Sequence, residues 1–267
     1  MPTIDMHAHA FPDPIAERAI ARLEAECPWK AFAAGKVSEL LASMDAAGVD
    51  VSVVCPIATK PDQAEGILNW CDAIRSERIE PFPSIHPDTP GAGQWIRRIA
   101  DGGYRGIKLH PMYQQFAIDE PRLEAIYAAA VDGGLAVEFH CGRDIAFPPD
   151  DDRAAPARTA RVLDRFGGLK VVCTHMGGWR MWDESDEQLI GRDVWMETSF
   201  SLEALGPERA GAMIRRHGVG RVLFGSDWPW ARQDSDLGLL AGVGLDADEL
   251  AKVRGLNAAR LLGRTTG

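Results

Sequence analysis

The sequence predicts a (β/α)8 TIM barrel, and three observations predict it. Short β-branched runs alternate with amphipathic segments about eight times. A length of 267 residues suits eight strand–helix units. The main competitor, an open doubly wound sheet, would favour a GxGxxG or phosphate-loop motif, and the sequence has neither. The strands are expected at 3–9, 51–55, 81–86, 104–110, 135–141, 169–175, 194–199 and 222–227. Several are unbroken apolar runs, as a parallel strand covered on both faces requires. Helix signals fall between them. Ser38 stands as an N-cap before Glu39, Asp119 precedes Glu120-Pro121-Arg122, and the pairs Gly133-Gly134 and Gly167-Gly168 read as stops. The whole chain, 1–267, reads as one such domain with two long connections, an insertion at about 10–35 and a loop at about 142–156. Both follow strand C-termini, the face on which barrels carry their chemistry, so both are expected to act as lids.

Composition narrows the function. With 29 basic and 39 acidic residues the formal charge is -10, and no basic run offers a nucleic-acid surface. No stretch approaches the ~18 apolar residues of a membrane span, and the opening Met-Pro-Thr-Ile-Asp does not read as an export signal. Five cysteines, an odd number without CxxC spacing, suit a reducing compartment. The expectation is a cytoplasmic protein with a small-molecule partner, binding neither nucleic acid nor membrane. A homodimer is compatible with its tryptophans, which could serve as interface anchors.

The polar residues carry the chemistry. His7 and His9 lie at i and i+2 of the first strand, so their imidazoles share one face and can converge on one metal ion. His140 ends the fifth strand, His175 the sixth and Asp227 the eighth, placing five potential ligands at one rim. Lys108 and His110 share parity on strand four, with Lys108 directed to the barrel interior or rim. Arg143, Trp179, Arg180 and Trp228 follow strand ends and could line a pocket. The arginines would bind a carboxylate, or pair locally with Asp144, Asp183 or Glu184. His86 and His110 read as supporting groups at strand ends, and His217 as structural. Glu138 is expected to face the helices, whereas Glu197 and Ser199 share parity near the mouth.

These motifs taken in order resemble the amidohydrolase superfamily: the HxH, the strand-five His140, His175-Met-Gly-Gly178, Gly225-Ser-Asp-Trp-Pro229 and Asn257-Ala-Ala-Arg-Leu-Leu262. They are most similar to the branch containing aminocarboxymuconate semialdehyde decarboxylase. The resemblance implies one divalent metal held by His7, His9, His140 and Asp227. It makes His175 a catalytic acid/base in mononuclear members and a second-metal ligand in binuclear ones. Lys108 would be a carboxylated bridge in the binuclear case, and otherwise an ammonium pairing with Asp227 or a substrate carboxylate. Three imidazoles and a carboxylate suit Zn2+, with Mn2+, Fe2+ or Co2+ compatible. The leading expectation is hydrolysis of a small, carboxylate-bearing amide, ester or lactone by a metal-activated water, with Asp227 and His175 moving protons. Non-oxidative decarboxylation is the alternative, since the same residues serve both.

Overall fold

The computed structural model describes residues 1–265. In chain order its elements are β1 (Ile4–Ala8), α1 (Ala16–Glu26), α2 (Val37–Ala47), β2 (Val51–Val54), α3 (Ala64–Ile74), β3 (Ile79–Pro81), α4 (Ala92–Asp101), β4 (Gly106–Leu109), α5 (Glu124–Asp132) and β5 (Ala136–Phe139). There follow α6 (Pro156–Arg165), β6 (Lys170–Cys173), α7 (Trp182–Gln188), β7 (Trp195–Glu197), α8 (Leu202–His217), β8 (Val222–Leu223), α9 (Gln233–Ala241), α10 (Ala247–Ala251) and α11 (Asn257–Leu262). All eight expected strands are present, shorter than their sequence runs. The third differs most: its ladder lies at Ile79–Pro81, earlier than 81–86. Pro81 and Pro83 have no N–H to donate, and the run continues only by accepting, as when Pro83 O takes the Lys108 N–H at 3.0 Å.

The described residues form two compact units, each assembled from separated stretches. One holds 1–54, 76–80 and 197–265. In it β1 pairs with β2 in parallel, Ile4 opposite Val51 and Asp5 opposite Ser52. On its other side the Met6 N–H donates to Phe224 O at 2.9 Å, so the strands from the two ends of the chain lie side by side. Every β1 residue is buried, as the apolar run Ile4, Met6 and Ala8 requires. The Asn257 amide donates to the carbonyls of Val219 and Val222, tying α11 to the entry of β8. The other unit holds 55–75 and 81–196. There β4, β5, β6 and β7 pair successively in parallel, with Lys108 opposite Glu138 and Phe139 opposite Cys173. Ile107, Val137, Phe139, Val171 and Val172 are fully buried.

The helix ends refine the sequence reading. Helix α2 starts behind Lys36, whose N–H donates to Glu39 Oε2 at 3.1 Å, so Ser38 sits inside the first turn rather than capping it. Asp119 does not cap either: it accepts from Arg158 and Arg161, at 2.8 and 2.6 Å. Helix α5 stops at Gly133 as expected. The insertion carries α1, and the second long connection runs without regular elements until α6. Four of the five cysteines are buried and all five are free thiols. Among the described residues no helix is long and apolar enough to cross a membrane.

Asp236 on α9 yields a test of this packing. Burial raises its carboxyl to about 8, and the carboxylates of Asp5, Glu197, Asp227 and Glu203 add to the shift. The folded chain then holds a proton that the unfolded chain has lost, so stability falls as pH rises towards 8. Asp5, itself raised to about 6 by burial, acts in the same direction at lower pH. In metal-free protein Asp236→Asn should flatten the decline between about pH 4 and 8 and stabilise the fold at the upper end by more than about 1 kcal/mol. Urea melts across that range check it, and an unchanged slope would refute it.

Candidate metal centre

Three sequence-predicted ligands meet in the first unit. His7 Nε2 lies 3.1 Å from His9 Nε2, His9 Nε2 lies 3.1 Å from Asp227 Oδ1, and His7 Nε2 lies 3.5 Å from the same oxygen. Ligand bonds of about 2.0–2.2 Å place neighbouring donors roughly 3.0–3.5 Å apart across right or tetrahedral angles. The triad therefore has the spacing of donors around one divalent ion, and its N,N,O set suits one chemically. Local sequence explains the convergence. The i, i+2 histidines project from the end of β1, while the Asp227 N–H donates to His7 O at 2.7 Å and the His9 N–H to Trp228 O at 2.6 Å. Asp227 has φ 62°, a conformation non-glycine residues rarely adopt, and this turns its carboxylate from the chain past β8.

A layer of polar contacts fixes the triad. His7 Nδ1 lies 3.1 Å from Glu197 Oε1 and 3.3 Å from Ser199 Oγ. A proton on Nδ1 given to the carboxylate leaves the Nε2 lone pair for a metal. Ser199 in turn donates its N–H and its hydroxyl to Glu197, both at 2.7 Å. Glu197 and Ser199, singled out by parity, thus act on His7. Asp5, which the sequence reading passed over, accepts from Ser226 N and Oγ at 2.9 and 2.6 Å and from Gln233 Nε2 at 2.7 Å. It staples β1 to the segment carrying Asp227. Trp228 is packed at 3% exposure, with Ala8 opposite it in a parallel bridge.

In the second unit His140 and His175 are neighbours, His175 Nε2 lying 3.2 Å from His140 Nδ1. His140 Nε2 lies 3.1 Å from Arg143 O. Burial first, then the positive fields of His110, His175 and Lys108, holds the His140 imidazole well below its usual range, so it is neutral. His175 has φ 56° and is followed by Gly177, where a Cβ would stand 2.3 Å from Ser185 Oγ. This accounts for the His-x-Gly-Gly pattern. His110 stacks on His140, with centroids 4.3 Å apart, and points Nε2 at Asp144 Oδ2, 3.2 Å away. The sequence reading offered Asp144 to Arg143 and did not foresee this pairing, because the partner sits on an irregular loop.

The pairing of Lys108 with Glu138 corrects the expectation that Glu138 faces the helices. Glu138 shares parity with His140, so it cannot face the helices while His140 faces the rim. It lies opposite Lys108 in the β4–β5 register. The Lys108 ammonium sits 2.8 Å from Glu138 Oε1 with both side chains fully buried, so its charge meets a carboxylate there. Arg143 and Arg180 are exposed. Trp179 is buried at 8% and the Arg180 guanidinium lies 4.3 Å over its ring. Glu184 accepts from the Ala157 N–H at the start of α6.

Gly225 tests the support of the triad. A Cβ there would lie 2.1 Å from Glu197 Oε2 and 3.2 Å from His7 Cβ, so only glycine lets this carboxylate reach His7. Gly225→Ala should weaken divalent-metal affinity by roughly 10- to 100-fold, the usual cost of losing a group that orients a ligand. Competition with a chromogenic chelator measures it. Unchanged affinity would show that Glu197 does not govern His7.

The fold has counterparts. The chain shares 20% identity with 5-carboxyvanillate decarboxylase from Sphingomonas paucimobilis, at TM-score 0.76 and over 99% of both chains. An uncharacterised TIM-barrel protein from Bordetella bronchiseptica gives TM-score 0.75 at 18% identity, over 98% of this chain and 99% of that one. 5-Carboxyvanillate decarboxylase from Novosphingobium aromaticivorans, solved with manganese and 3-methoxy-4-hydroxy-5-nitrobenzoic acid, gives TM-score 0.72 at 14% identity, over 98% and 97%. A search of the curated proteins finds no match. The predicted (β/α)8 TIM barrel is the fold of this chain. The amidohydrolase family model matches residues 4–264, and the chain belongs to that family.

Proposed function

We propose that this protein is a metal-dependent decarboxylase of a small aromatic carboxylic acid. The observation that carries the reading is the triad of His7, His9 and Asp227, spaced for one divalent ion on a fold shared with solved decarboxylases. From the sequence alone hydrolysis ranks first. Likeness to two 5-carboxyvanillate decarboxylases supports the reverse order. Hydrolysis is the second reading, favoured by membership of a family described as amidohydrolases.

His7, His9 and Asp227 would hold the ion, with His140 as the fourth ligand that the motif order implies. Zn2+ leads on donor chemistry, and Mn2+ follows because a relative binds it. When bound, such an ion supplies Lewis acidity, drawing electron density from anionic oxygens. His175, oriented through His140, would deliver a proton to the ring carbon bearing the carboxylate. The bond from that carbon to the carboxyl group then breaks, its electron pair returns to the ring, and carbon dioxide leaves. Arg143 and Arg180 would receive anionic substrate, with Trp179 steadying the Arg180 guanidinium. The pair of Lys108 and Glu138 keeps a lysine charge near His140 without offering a free amine.

Purified protein should contain about one divalent ion per chain, because a single centre of this donor type accommodates one. Elemental analysis measures it, and a reproducible value near two would favour a binuclear site. Metal-loaded enzyme should release carbon dioxide from hydroxylated benzoic acids while leaving amides, esters and lactones intact. Cleavage of the latter with no carbon dioxide would reverse the assignment. His175→Asn should keep its metal and lose at least about 10²-fold in turnover, the usual contribution of a general acid. Loss of metal from that variant would make His175 a ligand instead.

A further inference from the structure

Among the described residues, Gln115, His175, Met176, Arg180, Phe200 and Asp227 are the non-glycine positions with positive φ. Such conformations persist where the surroundings enforce them, and they gather at functional sites. His175, Arg180 and Asp227 already have roles, and Met176 follows His175 directly. Phe200, at φ 55°, has none.

Its setting is specific. Phe200 follows Ser199, whose hydroxyl lies 3.3 Å from His7 Nδ1, so its backbone is anchored one residue from the support of the metal triad. Its ring meets that of Trp29, with centroids 4.5 Å apart and a tilt of 31°. Trp29 belongs to the insertion expected to act as a lid; its two ends are joined by the Phe11 N–H, which donates to Gly35 O at 2.8 Å, and it is tied to the stretch past β8 by the Phe32 N–H, which donates to Pro229 O at 2.8 Å. Phe32, three residues from Trp29, is a large apolar side chain at 62% exposure. A β-branched or aromatic residue held at positive φ gains nothing in backbone energy, so the ring's direction is what the conformation secures.

We infer that Phe200, backed by Trp29, is a specificity-determining wall that receives the flat face of the substrate's aromatic ring beside the metal triad. The inference rests on the proposed reading for its ligand class. Offset stacking favours a planar π-system over a saturated ring of similar size, so the wall selects aromatic over alicyclic acids.

The test is calorimetric binding of 2-hydroxybenzoate and of 2-hydroxycyclohexanecarboxylate to the metal-loaded full chain. Wild type should prefer the aromatic acid. Phe200→Leu should weaken the aromatic acid by roughly five- to tenfold and the saturated acid by less than about twofold, the size of one lost stacking contact. Phe200→Tyr, which keeps the ring, should retain the preference. Metal content and melting temperature of both variants should match wild type, which separates recognition from folding. Equal losses for the two acids, no loss, or no wild-type preference would overturn the wall. Carbon dioxide release with an unaltered preference in Phe200→Leu would sink the wall and leave decarboxylation standing. Phe200-dependent binding without turnover of any acid would do the opposite.

Discussion

The centre depends on one constraint, the pairing of the chain's first strand with the stretch that ends its last. The Met6 N–H bonds to Phe224 O, the Asp227 N–H to His7 O and the His9 N–H to Trp228 O. Residues more than two hundred positions apart are thereby held in register, and three donor atoms come within 3.5 Å of one another. The alternation of side chains along β1 puts both imidazoles on one face, but it cannot bring a carboxylate to them. That requires the backbone to turn sharply after β8. The positive φ at Asp227 and the absence of a side chain at Gly225 permit the turn and leave room for Glu197. Asp5 then locks it, since its carboxylate takes two bonds from Ser226 and one from Gln233.

This arrangement concentrates negative charge. Asp5, Glu197, Asp227 and Asp236 act on one another in the first unit, and their repulsion adds to the burial that lifts Asp236 to about 8. Buried carboxylates are costly unless paired, and the spacing of His7, His9 and Asp227 offers a divalent cation a place among them. The second unit is its electrostatic opposite, with Lys108, His110, His140 and His175 in proximity and the His140 proton repelled as a result. There the cost is contained by pairing. Glu138 takes the Lys108 charge and Asp144 faces His110. A neutral His140 beside His175 remains, with lone pairs rather than charge to offer.

Much of this was legible in the residues. The strands reveal themselves as apolar runs, and His7, His9 and Asp227 as polar residues at their ends. Glu197 and Ser199 stand out by parity. The Lys108–Glu138 pair is legible too, since 138 and 140 share a face and 108 stands opposite 138. What the sequence could not yield depends on partners brought together from afar or from irregular chain. Asp5 meets Gln233 across 228 positions. Asp144 meets His110 from a loop whose backbone has no periodicity to read, and the prolines at 81 and 83 shift the third ladder in a way no hydrophobic pattern reports. The reaction type was out of reach for a different reason: the ligand set is common to both chemistries.

Chemistry must therefore be decided by what surrounds the ligands. A hydrolase needs room and a base for water, whereas a decarboxylase needs an acid aimed at carbon and a surface that keeps the scissile bond out of the plane of the ring it leaves. His175, Arg180 and Phe200 are each held in an unfavourable backbone conformation, in turns that follow β6 and β7. Strain of this kind persists where the surroundings enforce it, and it gathers at functional sites. On that argument substrate choice is to be sought in the turns beyond the strands, which also carry His9 and Asp227, while the pairing of β1 with the stretch past β8 holds the triad in register.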